Sequence, residues 1–104
     1  VPVHAFAHIT GGGLTENVPR VLPEGLGVTL EAKSWPRPAV FDWLMQEGAI
    51  PEPEMYRTFN MGIGMVACVA EADAERTLSQ LAATGEKAWC VGRVENGVNG
   101  VVIR

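Results

Sequence analysis

The stretch His8-Ile9-Thr10-Gly11-Gly12-Gly13-Leu14-Thr15-Glu16-Asn17 concentrates the residues of this chain best suited to chemistry. Consecutive glycines let a backbone turn sharply and approach a ligand that any side chain would hold away. If a strand enters the loop and a helix leaves it, free N–H groups and the positive end of a helix dipole converge there. That is a cradle for phosphate or carboxylate. Its candidate binding residues are Thr10, Gly11, Gly12, Gly13 and Asn17, with Arg20 or Arg57 as helpers. The alternative is a plain tight turn. The string is not a Walker loop, because no Lys-Ser/Thr pair follows, and it is not GxGxxG. His8 borders the loop and is the candidate general acid, base or donor.

A second candidate is Arg57-Thr58-Phe59-Asn60-Met61-Gly62-Ile63-Gly64. In a strand, Asn60, Gly62 and Gly64 would share a face, placing an amide at the head of a bare strip. Either a ligand or a closely packed helix would lie against such a strip. Arg57 could grip an anion bidentately, although the usual fate of such an Arg is a surface salt bridge. His4 and His8 stand four apart and share a face. No third ligand and no HExxH pattern lies near, so no metal site is expected. Glu52, Glu54, Glu71, Asp73 and Glu75 fall mostly at predicted helix starts, where they favour the dipole and stay solvated. Cys68 and Cys90 form no CxxC pair and read as buried free thiols.

These groups must be held by elements that the sequence outlines. Residues 4–9 read as a strand running into the glycines, and 15–21 as a short helix with Thr15 as N-cap. Pro19 keeps that helix short. Residues 27–32 alternate, with Val28, Leu30 and Ala32 facing one way, which predicts a half-buried strand. Val40, Phe41, Leu44 and Met45 recur at helical spacing, with Gly48 as terminator. One helical turn is expected over 53–58. The apolar run 61–69 predicts a central strand covered on both faces. Ala74, Leu78, Leu81 and Ala82 fit an amphipathic helix over 72–84, ended by Gly85. Residues 88–94 and 101–103 read as strands. Asn96-Gly97 and Asn99-Gly100 would join them as a terminal hairpin. Trp35, Trp43 and Trp89 read as core or domain-edge anchors. The expected fold class is α+β, α/β-like, with a mixed sheet and packed helices.

The 104 residues suffice for one domain, and an apolar fraction of 47% reads as globular. A formal net charge of −4, with scattered Lys and Arg, makes nucleic-acid binding unexpected. The longest apolar stretch is too short to span a membrane. No secretory signal is expected, and a start at Val1 suggests a piece of a longer chain.

Three strings taken together carry a resemblance: Ala7–Pro23 (AHITGGGLTENVPRVLP), Glu54–Val66 (EMYRTFNMGIGMV) and Gly85–Val94 (GEKAWCVGRV). In order and spacing the chain resembles the C-terminal part of the aminoimidazole ribonucleotide synthetase family, the phosphoribosylformylglycinamidine cyclo-ligases. The resemblance implies that residues 1–104 are the later portion of that family's C-terminal domain. It implies a parent enzyme that closes the imidazole ring of formylglycinamidine ribonucleotide using ATP and Mg²⁺, giving aminoimidazole ribonucleotide, ADP and phosphate. ATP would activate the formamide oxygen before an internal nitrogen attacks. The implied partners are this small-molecule substrate, the parent's N-terminal domain, and a second copy in a homodimer, in the cytoplasm. The N-terminal domain, which in the family contributes most of the nucleotide and metal chemistry, has no counterpart here, so this portion is expected to hold neither ATP nor Mg²⁺ and to be inactive alone. Carried over by position, the Thr10–Gly13 loop with Asn17 would line the substrate side of the cleft, and Asn60 and Gly62 would lie on the neighbouring strand. Related readings are a thiamine-monophosphate kinase or selenophosphate synthetase type of enzyme, against which the HITGGGLTEN string argues, or a non-catalytic ligand-binding or interaction domain.

Overall fold

The computed structural model describes residues 1–104. Strand β1 spans Val3–His8 and pairs antiparallel with β3, Met65–Val69, in a two-stranded sheet. A second sheet of three strands has the order β4-β2-β5, with β2 at Leu26–Leu30, β4 at Gly92–Asn96 and β5 at Val101–Ile103. Four helices complete the fold: α1 (Gly13–Asn17), α2 (Ala39–Gly48), α3 (Glu52–Thr58) and α4 (Ala74–Ala83). Helices beside sheets that mix parallel and antiparallel pairing make this an α+β fold, as expected.

The core lies where α1, α3 and β2 meet. Leu14 and Val18 from α1 and its exit, Met55 and Tyr56 from α3, and Val28 and Leu30 from β2 are buried together with Trp35, Met61 and Ile63. The Trp35 indole N–H donates to the Met61 carbonyl at 3.0 Å, so the buried ring keeps its polar atom satisfied. Trp35 is thus a core anchor, whereas Trp43 is 59% exposed and Trp89 lies at the surface.

Several expected elements are redrawn by tertiary contacts. The run 61–69 is not one buried strand. Met61 and Gly62 adopt φ of 56° and 98°, which breaks the extended chain, and β3 begins only at Met65. With a single partner, β3 stays half-exposed. Conversely, β2 is not half-buried. All four residues from Gly27 to Leu30 are buried: Val28 and Leu30 join the core, and the Val98–Gly100 backbone lies against Gly27. Ala32 leaves the strand for a 3-10 turn over Ala32–Ser34.

The terminal hairpin does not form. β4 runs antiparallel to β2, with Leu26 opposite Asn96 and Leu30 opposite Gly92. β5 runs parallel to β2 on the other edge, with Val28 opposite Val101 and Leu30 opposite Ile103. The connection through Gly97 and Gly100, both with positive φ, instead carries the chain around the end of β2. The Val28 N–H donates to the Gly100 carbonyl at 2.9 Å and anchors that crossing. An apolar strand with two open edges recruits both remaining strands, which a hairpin would have paired with each other.

Helix α2 ends at Gly48, but the left-handed residue is Ala49, at φ 50°. The Ile50 side chain folds back onto Gly48, and the Ile50 N–H closes the turn on the Met45 carbonyl at 3.0 Å. Helix α4 ends with Gly85 at φ 85°, as its pattern predicted. The cysteines are free but not both buried: Cys90 is exposed and Cys68 half-buried, where burial pushes its thiol pKa up.

Candidate functional site

The glycine loop does join a strand to a helix. β1 ends at His8, the Ile9 N–H donates to the Gly64 carbonyl at 3.0 Å, and α1 begins at Gly13. Gly12, not Thr15, is the N-cap residue; Thr15 lies within α1, and no side chain caps the helix. The helix ends at Asn17 and passes into a 3-10 turn at Pro19–Val21, so it is shorter than the predicted 15–21 and starts earlier.

The three glycines have three different surroundings. Gly13 is buried at φ 63°, and a Cβ there would collide with the Tyr56 and Phe59 carbonyl oxygens. Its N–H donates to the Thr10 carbonyl at 2.9 Å. Gly13 therefore packs α1 against α3 and is removed from the expected set of ligand donors. The N–H groups of Gly11 and Gly12 take no acceptor within the chain. Nothing lies within 4 Å of where a Gly11 Cβ would stand.

Asn17 is the best-defined polar group of the loop, at 5% exposure. Its Oδ1 accepts the Thr10 N–H at 2.6 Å and the Thr10 hydroxyl at 3.2 Å. Two donors on the oxygen fix which end of the amide is which. Nδ2 must then point the other way, and it lies 3.2 Å from the Cβ position of Gly12. Every buried side-chain N or O atom has a hydrogen-bond partner. Nδ2 has none in the chain, so it is open to solvent.

Glu16 is the residue that sequence reasoning passed over. Its side chain folds over Gly12, with Cβ and Oε2 each 2.6 Å from the position a Gly12 Cβ would take. It is exposed and enters no salt bridge. The available signal was its place four residues after Gly12, which brings it round one helical turn. A carboxylate here counts against the phosphate cradle. Glu16 is exposed, so solvent screens its repulsion of an anion, and the dipole of a five-residue helix supplies only a comparably small attraction.

The other candidates do not converge on the loop. His8 lies on the outward face of β1 with His4, at the strand end before the loop. Arg57 pairs with Glu54 at 2.6 Å on α3, the ordinary surface pairing. It lines a shallow cleft of about 520 Å³ with Thr15, Glu52, Tyr56, Val101 and Ile103, apart from Gly11, Gly12 and Asn17. Asn60 and Gly62 are not on a strand. Asn60 Oδ1 accepts the Gly62 N–H at 2.8 Å, and a Cβ on Gly62 would meet Pro38 Cδ at 2.6 Å. A packed proline thus accounts for glycine at position 62, whereas nothing lies within 4 Å of the Gly64 Cβ position. No three His, Cys, Asp or Glu side chains converge in a way that could hold a metal ion. No helix is long and apolar enough to cross a membrane.

The family model described as AIR synthase related protein, C-terminal domain, matches residues 1–104. A phosphoribosylformylglycinamidine cyclo-ligase of Anaeromyxobacter dehalogenans (strain 2CP-C) is 59% identical over 97 residues, which is 93% of this chain and 28% of that protein. One from Nitrosococcus oceani is 55% identical over 94 residues, covering 90% of this chain and 26% of its own length. The chain thus spans little more than a quarter of the curated relatives it matches.

Proposed function

We propose that this chain, which belongs to the AIR synthase related protein C-terminal domain family, serves as the C-terminal part of a cyclo-ligase of purine biosynthesis. The full-length protein would convert formylglycinamidine ribonucleotide and ATP to aminoimidazole ribonucleotide, ADP and phosphate. The observation that carries this reading is 55–59% identity, over at least nine-tenths of the chain, to proteins named phosphoribosylformylglycinamidine cyclo-ligase. Divergence within one reaction is the simplest account of identity at that level across a whole domain.

In this reading Thr10, Gly11, Gly12 and Asn17 form one wall of the substrate cleft, and His8 stands at its edge. Thr10 and Asn17 hold each other, so the loop is preset and loses little entropy when substrate arrives. No three acidic side chains of this chain converge to hold a Mg²⁺ ion. ATP and Mg²⁺ are therefore assigned to the remainder of the full-length protein. The same reading assigns a cytoplasmic homodimer, with the preceding domain as the first partner. The test is an assay of ATP-dependent aminoimidazole formation by the purified full-length protein and by residues 1–104 alone. Activity in the first and none in the second is expected. A full-length protein that folds and forms no aminoimidazole overturns the assignment.

A further inference from the structure

We infer that Glu16 and Asn17 grip the formamide–amidine end of the substrate and that the glycine loop does not hold its phosphate; this deepens the cyclo-ligase reading and rests on it. The groups available at the loop are an unpaired carboxylate on Glu16, a free N–H on the Asn17 amide, and the free N–H groups of Gly11 and Gly12. An anion would satisfy the donors and be repelled by Glu16. A neutral or cationic group with only donors would cover Asn17 Nδ2, which faces solvent in the free chain, and give it no acceptor in place of water. The set is matched by a ligand that carries an N–H cation beside a carbonyl oxygen. Formylglycinamidine has this arrangement: its amidinium would donate to the Glu16 carboxylate, and its formamide oxygen would accept from Asn17 Nδ2.

The geometry also accounts for glycine at position 12. The Glu16 side chain occupies the space in which a Gly12 side chain would begin, next to Asn17 Nδ2. Any residue but glycine would push the carboxylate off the loop. Gly12 therefore acts as a positioning residue for Glu16, and the two substitutions should share one phenotype.

The experiment uses the full-length protein. Glu16→Gln should raise KM for formylglycinamidine ribonucleotide at least tenfold. Gly12→Ala, which displaces the carboxylate and leaves charge unchanged, should move KM the same way. Glu16→Asp should recover part of the loss. Inhibition by ribose 5-phosphate, which carries the phosphate and no amidine, should be unchanged in Glu16→Gln. Glu16 is exposed and unpaired, so Glu16→Gln is expected to keep the wild-type melting temperature. An unchanged KM in Glu16→Gln overturns the inference and leaves the cyclo-ligase reading standing. Tighter ribose 5-phosphate inhibition in that variant also overturns it, since this is the signature of a phosphate beside Glu16. A wild-type protein without cyclo-ligase activity sinks both.

Discussion

A methyl group added at Gly13 would strike two backbone carbonyls, those of Tyr56 and Phe59, neither of which can swing aside as a side chain could. The residue is also at φ 63°, where an L-residue is strained by about 1–3 kcal/mol. Two positions earlier, a Gly11 methyl meets nothing within 4 Å. Gly13→Ala is expected to lower stability by at least about 1–3 kcal/mol. Gly11→Ala should stay within roughly 0.5 kcal/mol of wild type. Urea denaturation of both variants in the full-length protein, followed by a probe in this domain, checks the pair. Equal midpoints would contradict the packing described for α1. The run of glycines announces an unusual backbone, but which glycine packs and which faces solvent depends on α3, which begins 39 residues after Gly13.

Among the elements, α3 receives its side-chain hydrogen bonds from outside through a single residue, Arg37. Arg37 donates to Asp42 Oδ1 at 3.2 Å, to Glu52 Oε1 at 3.1 Å and to the Tyr56 hydroxyl at 2.8 Å, with its guanidinium 5.7 Å from the Tyr56 ring centre. Burial alone would lower its pKa. The hydrogen bonds to Glu52, Asp42 and Tyr56 and the charge interaction with Tyr56 outweigh that and raise it, so the cation is held firmly. The Arg fork clamps the start of α2 to α3 and so braces the carbonyls on which Gly13 rests. Arg37→Ala leaves a buried tyrosine hydroxyl without its partner, at an expected cost of about 1–3 kcal/mol. Arg37→Lys should restore little, because one ammonium cannot span three acceptors in the geometry of a planar fork. Denaturation midpoints for both variants test this, and a full rescue by lysine would show that charge alone suffices. Helices α2 and α4 were legible because their apolar positions repeat at helical spacing. The clamp between α2 and α3 was not, because no local pattern marks which acceptors an Arg will meet.

At the scale of the whole molecule, the chain measures 41 × 34 × 20 Å and buries only 15 of its 104 residues. A compact monomer of 11.1 kDa exposes about 5,700 Å². This chain exposes 6667 Å². The excess, roughly 1,000 Å², is comparable to the ~800 Å² that one partner contributes to a standard interface. Part of it lies on the outward face of β1 and β3, where Phe6 is 60% and Met65 57% exposed beside unpaired strand edges. Residues 1–104 in isolation are expected to self-associate. The double substitution Phe6→Glu, Met65→Glu should shift them toward monomer in concentration-dependent light scattering. A wild-type chain that stays monomeric at high concentration would remove this reading of the surface.

Read alone, the sequence determined the fold class, the helices α2 and α4, the short strand at 101–103, the helix stop at Gly85, and a special backbone at Thr10–Gly13. Each rests on residues within a few positions of one another, so periodicity and conformational preference suffice. Only the tertiary structure decided that β4 and β5 flank β2 and do not pair, that the 61–64 segment turns, and that Glu16 lies over Gly12 beside a free Asn17 amide. Strand partners are chosen by whichever edges remain open once the core has assembled. The chemistry of the loop depends on where each amide and carboxylate is left pointing after its neighbours are satisfied. Both are properties of contacts in space that no local pattern encodes.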